Sequence, residues 1–479
     1  MTQQIGPSYN TDGWIRLPLA EVVTKVPLSG KKLKQSDYLE EGKLPVIDQG
    51  HAFIGGYTDR EDMKALCKLP VIVFGDHTKA VKYVDFDFVA GADGVRVIEP
   101  SDLFSPKLLY YFLHVVPLPD KGYARHFQYL EKSLVSIPPL PEQHRIVAKI
   151  EELFTRLDAG VEALNKVKAQ LKRYRQAVLK HAFEGKLTEE WREKHKHELE
   201  PASVLLERIR EERKKKLGSK YKEPPPVETT GLPELPDGWE RASVSQLLSE
   251  ELCNGRSVKS LVGGFPVLRL TALKDTRIDQ TEFKEGDWSE SEAEPYLIED
   301  GDFLVVRGNG SLHLVGRGGL VGEVEQKVAF PDTLIRVRIP NSLMVLAYVA
   351  QVWDSMIVRG QLEHMAKTTA GIYKVNQKDI EGTVMPIPSQ AEQNEIVREI
   401  DRRMSIASTI GKVVEQSLKQ AERLRQSILK RAFEGKLVPQ DPNDEPAEKL
   451  LERIRAERAK KAAPARVARG KQAKQMRLV

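Results

Sequence analysis

Two stretches of the chain carry apolar side chains at helical spacing between charged residues. The second stretch repeats the register of the first. An apolar stripe with three- and four-residue spacing predicts an amphipathic helix, and a stripe of this length predicts the seam of a coiled coil. The stripe positions are Val147, Ile150, Phe154, Leu157, Leu164, Val167, Leu171, Tyr174 and Val178, then Val397, Ile400, Met404, Ala407, Val414, Ala421, Leu424 and Ile428.

Prolines and glycines mark the expected ends of these helices. Gly185 and Gly435 stand where a C-terminal cap glycine is expected. Each helix of about 45 residues would be roughly 65 Å long and could not bury its stripe alone. Because the chain returns through a whole domain between them, we expect an antiparallel helix pair. The prolines that precede the helices are Pro138, Pro139 and Pro141, then Pro386 and Pro388.

The two helical stretches are copies of each other. Residues 142–187 align with residues 392–437 at a constant offset of 250, and 17 of the 46 positions are identical. Both copies end in AFEGKL, and LLERIR follows at 205–210 and 450–455. Asp-Gly-Trp occurs at 12–14 and again at 237–239. The chain therefore consists of two halves, each a larger region followed by a related helix.

The rest of the sequence divides around these helices. Domain 1 is predicted at 1–141 and domain 2 at 232–391; the spacer helices occupy 142–187 and 392–437. A charged helical segment with a Pro-rich linker fills 188–231, and a helical segment with a basic tail fills 438–479. Both domains mix short β-rich runs with helices at Leu108–Val116 and Leu343–Val358, which predicts an α+β fold class with two α/β domains. The strand spacing is too irregular for a doubly wound sheet and defines no strand order. The β-rich runs are Leu69–Phe74, Ala80–Val84, Gly94–Ile98, Phe265–Leu270, Asp302–Arg307 and Leu334–Ile339.

Composition excludes several classes of protein. The chain has 479 residues, of which 41% are hydrophobic and 30% charged, so packed cores are expected and global disorder is excluded. Its two cysteines, Cys67 and Cys253, provide neither a disulfide framework nor metal-ligand spacing. The N-terminus has no apolar leader and no window approaches 18 apolar residues, so a soluble cytoplasmic protein is expected.

The charge is unevenly distributed. The net charge is +5, but residues 456–479 hold eight basic side chains and one acidic side chain, a sum of +7. The other residues therefore sum to −2. Bulk charge does not indicate nucleic-acid binding, and a polyanion site would have to be a local basic patch.

Motifs of catalysis are missing from the sequence. It contains no P-loop, no dinucleotide-binding glycine pattern after a strand, and no Asn/Asp-Pro-Pro-aromatic run of an amino-methyltransferase. The ten histidines make no zinc spacing. Glu184-Gly185-Lys186 and its copy lack an Asp-bearing strand nearby, so a helix cap explains them better than a nuclease centre. We predict no catalytic and no metal-binding residues.

Loops of both domains combine cations, polar side chains and aromatics that can contact phosphates and base edges. Any one of these residues is more typical of a solvated surface group than of a base contact, and residues 239–391 carry 16 basic against 21 acidic side chains. Composition alone therefore leaves the interpretation open. The DNA-binding candidates are Asp76, His77, Thr78, Lys79, Lys82, Tyr123, Arg125, His126 and Gln128 in domain 1, and Arg307, Asn309, Arg317, Lys367, Thr368, Tyr373 and Lys374 in domain 2.

Several stretches together resemble the DNA-specificity subunit of type I restriction–modification enzymes. The resemblance covers the chain except about the last 20 residues. It rests on IPPLPEQHRIVAKIEELF at 137–154, RQAVLKHAFEGKL at 175–187, LPELPDGW at 232–239, IPSQAEQNEIVREI at 387–400 and AFEGKL at 432–437.

The resemblance implies two target recognition domains that each recognise one half of a bipartite double-stranded DNA site, held apart by two antiparallel helices. It implies that the chain has no enzymatic activity and binds no cofactor. Two methyltransferase subunits that bind S-adenosylmethionine, and endonuclease subunits that use ATP and Mg, would join it. Two alternatives stay open: an enzyme with an unrecognised active site, and a coiled-coil scaffold or inactive remnant without sequence-specific DNA binding.

Overall fold

The chain folds into two compact units. The computed structural model describes residues 11–119, 122, 124–228, 234–369, 371–457 and 460. Unit 1 comprises Met1–Asn165 with Glu415–Val479, and unit 2 comprises Lys166–Val414. Unit 1 therefore contains domain 1 and unit 2 contains domain 2, and each of the two long helices contributes one part to each unit.

Domain 1 is built from short strands and short helices. Strands β2, β9, β6 and β7 form one sheet in that order, β3, β8, β4 and β5 form a second, and β1 pairs with β10. The first sheet packs against α2 in the core of the domain. The elements are β1 (Ile15–Pro18), α1 (Leu19–Val22), β2 (Val23–Lys25), β3 (Lys32–Leu33), β4 (Leu44–Ile47), β5 (Gly56–Thr58), β6 (Val71–Gly75), β7 (Val81–Val84), β8 (Val89–Gly91), β9 (Val95–Pro100), α2 (Pro106–Leu113), α3 (Phe127–Leu130) and β10 (Leu134–Ile137).

Domain 2 follows three helices and precedes the last long helix. Its largest sheet has the order β12-β20-β17-β19-β15-β14, a smaller one has the order β18-β22-β21, and β13 pairs with β16 and β11 with β23. The elements from the first long helix onward are α4 (Leu140–Phe183), α5 (Glu189–His195), α6 (Ala202–Leu217), β11 (Glu240–Ser243), α7 (Val244–Leu247), β12 (Cys253–Asn254), β13 (Ser260–Leu268), β14 (Leu273–Lys274), β15 (Arg277–Ile278), β16 (Phe283–Gly286), α8 (Glu290–Ala293), β17 (Phe303–Val306), β18 (Gly308–Asn309), β19 (Gly318–Leu320), β20 (Leu334–Val337), α9 (Leu346–Trp353), α10 (Met356–Met365), β21 (Lys367–Thr369), β22 (Ile372–Lys374), α11 (Gln377–Glu381), β23 (Val384–Ile387) and α12 (Gln390–Phe433).

The two domains share a sheet core. The order β2-β9-β6-β7 in domain 1 corresponds to β12-β20-β17-β19 in domain 2, and every neighbouring pair in both sets is antiparallel. The strands β6 and β17 are buried throughout, as their continuous apolar sequences require. The predicted α+β class is confirmed. The loops that follow β6 and β17 therefore leave corresponding ends of the two sheets.

The helices α4 and α12 contribute to the core of each unit. In unit 1, Ile150 near the start of α4 shares a core with Ile428 near the end of α12. In unit 2, Phe183 at the end of α4 shares a core with Ile396 near the start of α12. The start of each helix thus packs with the end of the other, so the predicted antiparallel pairing is confirmed.

Two residues of the predicted apolar stripe lie outside the seam. Tyr174 is 41% exposed and Leu424 is 49% exposed. At the end of α12 the seam position is Arg425, whose guanidinium lies 4.3 Å from the ring centroid of Phe154 and pairs with Asp158. An arginine can fill an apolar seam because its flat guanidinium stacks on an aromatic face.

A tryptophan binds each domain to the start of the long helix that follows it. Trp14 Nε1 donates a hydrogen bond to Glu142 Oε2 at 3.0 Å, and Trp239 Nε1 donates one to Glu392 Oε2 at 2.8 Å. We call these contacts the first and second tryptophan joints. They give a physical reason for the repeated Asp-Gly-Trp and for the glutamate that opens each helical copy.

The two joints differ in the partners of their glutamates. Glu392 also accepts from Thr188 Oγ1 at 2.7 Å and Arg192 Nη1 at 2.8 Å. Glu142 Oε1 is buried and has no hydrogen-bond partner within the described residues. Burial raises the pKa of Glu142, against the opposing hydrogen bond from Trp14. The first joint therefore carries an uncompensated desolvation cost that the second joint lacks.

The LLERIR repeat lies in helices that dock in corresponding ways. In unit 2, the amide of Ala202 at the start of α6 donates to Gly238 O at 2.9 Å. In unit 1, the amide of Ala447, at the start of a helix over residues 447–457, donates to Gly13 O at 3.0 Å. Each helix thus meets the glycine that precedes a joint tryptophan.

The predicted cap glycines end both long helices. Gly185 has φ +72° and Gly435 has φ +70°, a left-handed conformation that side chains with a Cβ adopt only at a cost. The amides of Lys186 and Lys436 reach back to His181 O at 2.9 Å and Arg431 O at 2.8 Å. These are the backbone bonds of a glycine-based helix cap.

We expect Gly185→Ala and Gly435→Ala each to lower the free energy of unfolding by about 2 kcal/mol, because alanine is strained in the left-handed region. The added methyl would also overlap Pro236 and Thr11, respectively. Gly160→Ala is the control: it lies inside α4 with nothing within 4 Å of an added Cβ, and it should stabilise by about 1 kcal/mol. Urea unfolding midpoints measure all three, and equal effects at 160 and 185 would contradict the expectation.

Candidate nucleic-acid interface

A three-stranded sheet in domain 2 brings most of its candidate residues together. β18 pairs with β22, and β22 pairs with β21. The segments 307–310 and 367–374 contain three cations and no acidic residue, although domain 2 as a whole is acidic. This sheet is therefore a local basic patch within an acidic domain. We call it the basic ribbon; its candidate residues are Arg307, Asn309, Lys367, Thr368, Tyr373 and Lys374.

The register of the basic ribbon separates its side chains by face. Lys367 pairs with Lys374, which pairs with Gly308, so the two lysines project from one face. Thr368 pairs with Tyr373, which pairs with Asn309, and these three project from the other face. The ribbon therefore presents cations on one side. On the other side Thr368 is exposed, Asn309 is half-buried, and the Tyr373 side chain packs partly against the domain 2 core.

Arg317 lies apart from the ribbon. Its Nη2 donates to Asp275 O at 3.2 Å and lies 3.7 Å from the carboxylate of Asp354. Burial raises the pKa of Asp354, and the charge of Arg317 opposes that shift. The structure thus places Arg317 in an ion pair at the end of α9.

In domain 1, the buried Asp76 connects the β6–β7 loop to the segment before α3. Its side chain is 2% exposed and accepts hydrogen bonds from Arg96 Nε at 3.2 Å and the amide of Phe127 at 2.8 Å. The carbonyl of Asp76 accepts from the amide of His126 at 2.8 Å, and the His126 ring is also buried. Asp76 and His126 therefore join the β6–β7 loop to the segment before α3 instead of facing solvent.

Lys82 is also inside the domain. It is 5% exposed, and its Nζ lies 3.4 Å from Asp48 Oδ1. Burial lowers the pKa of Lys82, and the charge of Asp48 opposes that shift. Thr78 is held nearby, because its hydroxyl donates to Gln49 O at 2.6 Å. The segment 48–49, which directly follows β4, thus supports the β6–β7 loop.

The remaining candidates of domain 1 lie closer to solvent. Arg125 and Gln128 are exposed, with Gln128 Nε2 donating to Arg125 O at 3.0 Å. His77 and Lys79 are half-buried, and Lys79 has φ +61° at the tip of the β6–β7 loop. Tyr123 lies outside the described residues. The solvent-facing candidates are therefore on two loops, which Asp76 ties together.

The sequence analysis missed the residues that support these loops. Asp48 and Arg96 in domain 1 gave no signal, because their partners lie 34 and 20 residues away. In domain 2, Arg359 on α10 is buried between Val358 and Leu362. The sequence did contain one indication of this position: an arginine among the apolar residues of a predicted helix is unusual and suggests a buried, hydrogen-bonded guanidinium.

Comparisons with known proteins agree with this arrangement. Residues 11–173 match the family described as the type I restriction modification DNA specificity domain. The EcoKI specificity subunit of Escherichia coli (strain K12) is 29% identical, over 94% of this chain and 96% of that protein. The StySPI specificity subunit of Salmonella potsdam is 26% identical, again over 94% and 96%.

Two solved structures have a similar fold. The HsdS subunit from Thermoanaerobacter tengcongensis superposes with a TM-score of 0.50 at 16% identity, over 90% of this chain and 99% of that chain. A chain from a structure of complex assembly and conformational transition of the type I R-M system gives a TM-score of 0.56 at 17% identity, over 90% and 100%.

The chain is thus a duplicated one, with two related sheet domains and an antiparallel helix pair. Over 94% of its length it is similar to specificity subunits of type I restriction enzymes, and its first domain matches the family of type I restriction modification DNA specificity domains. Such a subunit is the non-catalytic, DNA-recognising member of its enzyme.

The described residues contain no group of three or more His, Cys, Asp or Glu side chains placed to hold a metal ion. None of the helices described is both long and apolar enough to cross a membrane.

Proposed function

We propose that the chain binds a bipartite double-stranded DNA sequence, with domain 1 recognising one half and domain 2 the other. The observation that carries the proposal is the shared strand order, which places polar and basic loops at the corresponding end of both sheets. A protein with two such surfaces can contact two half-sites at once. The specificity subunits among its relatives support the same conclusion.

In domain 2 one face of the basic ribbon contacts the DNA backbone and the other contacts the bases. Lys367 and Lys374 bind backbone phosphates, where a cation positions the protein without recognising sequence. Thr368, Tyr373 and Asn309 face the bases, since hydroxyl and amide groups can discriminate base edges. In domain 1 the corresponding surface consists of the β6–β7 loop with Arg125 and Gln128, and Asp76, Lys82 and His126 support it from inside.

We further propose that the chain recruits methyltransferase and endonuclease subunits. A structural relative comes from a study of complex assembly in the type I R-M system, which supports this proposal. S-adenosylmethionine, ATP and Mg are then bound by those partners and not by this chain. The lack of P-loop and methyltransferase motifs in the sequence is consistent with cofactor binding by the partner subunits.

The decisive experiment is to co-express the chain with its methyltransferase partner and map methylated adenines by single-molecule sequencing. A bipartite motif with a fixed gap is expected. If an intact complex supplied with S-adenosylmethionine gives no motif, the chain is a scaffold or an inactive remnant. Methylation by the purified chain alone would indicate an enzyme with an unrecognised active site.

Variants of the basic ribbon separate its two faces. We expect Lys374→Ala to weaken binding to all sequences alike and to reduce the salt slope by about 1. Thr368→Ala should instead relax one position of one half-site, losing about 1–3 kcal/mol of discrimination. Competition binding with single-substitution duplexes at several salt concentrations measures both effects. A relaxed position in the Lys374 variant, or a uniform loss in the Thr368 variant, would contradict the assignment of faces.

A further inference from the structure

The loop between β18 and β19 is held on its inner side by three side-chain hydrogen bonds to its backbone. Arg359 Nη1 donates to Val315 O at 2.8 Å, and Arg359 Nη2 donates to His313 O at 3.2 Å. Trp353 Nε1 donates to Gly316 O at 2.8 Å. Three carbonyls within four residues are thus fixed by side chains of α9 and α10.

Arg359 is itself firmly placed. It is 6% exposed, and its neighbours Val358 and Leu362 on α10 are fully buried. Glu363 Oε1 accepts from Arg359 Nη2 at 3.1 Å, one turn along the helix. A buried guanidinium needs most of its N–H groups satisfied, and here the loop carbonyls satisfy part of that need. Loop and arginine therefore stabilise each other.

The outer side of the same loop carries His313 to the surface. A single 3-10 turn, Leu312–Leu314, places its side chain in solvent while Arg359 holds its carbonyl. Only Gly310 and Ser311 separate the turn from β18, and Asn309 Oδ1 accepts from the amide of Ser311 at 2.9 Å. His313 therefore lies on a stiff turn that continues from the basic ribbon.

We propose that His313 contacts a base edge in the domain 2 half-site, and that Arg359 is the positioning residue that fixes its backbone. The inference rests on the proposed DNA-binding function and adds to it a residue that composition did not single out. An imidazole N–H can donate to the N7 acceptor that both purines present in the major groove. The partner is therefore a purine of the recognised sequence.

Positioning matters because base discrimination requires a donor within about 0.5 Å of its productive place. His313 has only two side-chain torsions, so its imidazole follows its backbone. Without the Arg359 donors, the buried carbonyl of Val315 would lose its partner, and the loop would have to move to resolvate it. The effect of Arg359 on DNA recognition would then be concentrated at the base that His313 contacts.

The test uses the intact complex with its methyltransferase partner. The variants His313→Ala, His313→Gln and Arg359→Lys are compared with wild type by methylome mapping and by competition with single-substitution duplexes. We expect His313→Ala to keep the bipartite motif while discrimination at one domain 2 position falls by about 10-fold or more. Arg359→Lys, which keeps the charge but loses the forked donors, should relax the same position. His313→Gln retains a donor and should recover part of the discrimination.

An unchanged motif in the His313→Ala variant would overturn the proposal, and His313 is exposed, so that variant is expected to fold. A uniform loss at all positions in Arg359→Lys, with His313→Ala relaxing a single one, would reduce Arg359 to a structural role. Absence of any motif with the wild-type chain is a different result: it overturns the proposed DNA-binding function, and the His313 contact with it.

Discussion

Glu392→Gln is expected to lower the free energy of unfolding by about 3 kcal/mol, because it breaks a buried ion pair and leaves Arg192 without its counter-charge. Glu392 accepts from three donors: Thr188, Arg192 and Trp239. In either orientation, the amide of a glutamine would point its own N–H groups at one of those donors. The second tryptophan joint therefore needs a carboxylate.

Glu142→Gln at the first tryptophan joint should change the free energy of unfolding by less than about 1 kcal/mol. Glu142 accepts one described side-chain hydrogen bond, from Trp14, and a glutamine oxygen can accept that bond equally well. The substitution also removes the cost of burying the Glu142 carboxylate charge, one oxygen of which, Oε1, has no hydrogen-bond partner among the described residues. Two positions that correspond in the repeat should thus respond very differently to one chemical change.

The pH dependence of the first joint follows from the raised pKa of Glu142. The folded chain holds the proton more tightly than the unfolded chain, so this group favours folding below its ordinary pKa. That contribution is lost as the pH rises through the ordinary carboxyl range towards the folded pKa. Any increase in the free energy of unfolding that Glu142→Gln produces relative to wild type should therefore be larger at pH 7 than at pH 4.

Urea unfolding of the two variants, followed by tryptophan fluorescence at several pH values, measures these expectations. Glu152→Gln, at an exposed position of α4, is the control and should have little effect. Equal destabilisation at 142 and 392 would show that the different surroundings of the two joints have no energetic consequence.

Asp76→Ala is expected to abolish recognition of the domain 1 half-site while leaving discrimination by domain 2 intact. The substitution removes the acceptor for Arg96 and for the amide of Phe127, which costs about 2–3 kcal/mol for hydrogen bonds to a charged group. Because this carboxylate ties the β6–β7 loop to the segment before α3, both solvent-facing loops lose their anchor. Affinity for the specific duplex should fall at least about 100-fold, towards nonspecific binding.

Competition binding with duplexes altered in one half-site at a time distinguishes this result from general unfolding. Asp102→Ala provides the matched control, because Asp102 lies in the same domain with its side chain 82% exposed. A variant at 76 that loses discrimination in both half-sites would indicate that the two domains do not recognise DNA independently.

The sequence predicted the long helices well because their signal is local. Apolar spacing, preceding prolines and following glycines all act within a few turns of the helix. The exceptions, Tyr174 and Leu424, show the limit of the method, since an arginine stacked on Phe154 can occupy a seam position that apolar spacing assigns elsewhere. Propensity cannot reveal a contact made across the pair.

The folds of the two domains were harder to predict from the sequence, because their strands pair with partners far away along the chain. β1 pairs with β10 across the whole of domain 1, and no local pattern encodes that register. For the same reason, Asp76, Lys82 and His126 looked like solvent-facing residues: all three are polar and follow or enter a turn. Lys82 pairs with Asp48 and Asp76 with Arg96, and these partners reach them only after the sheets form. His126 is in turn buried against the backbone of Asp76.

The discontinuity of unit 1 has a consequence for biosynthesis. Unit 2 is one continuous stretch of chain, but the apolar face around Ile150 is completed by Ile428, which the ribosome makes 278 residues later. At about 5–20 residues per second, domain 1 waits roughly 14–56 s for its covering helix. During that interval an incomplete core is exposed to chaperones and to other nascent chains. Domain 2 can finish folding first, although domain 1 is translated first.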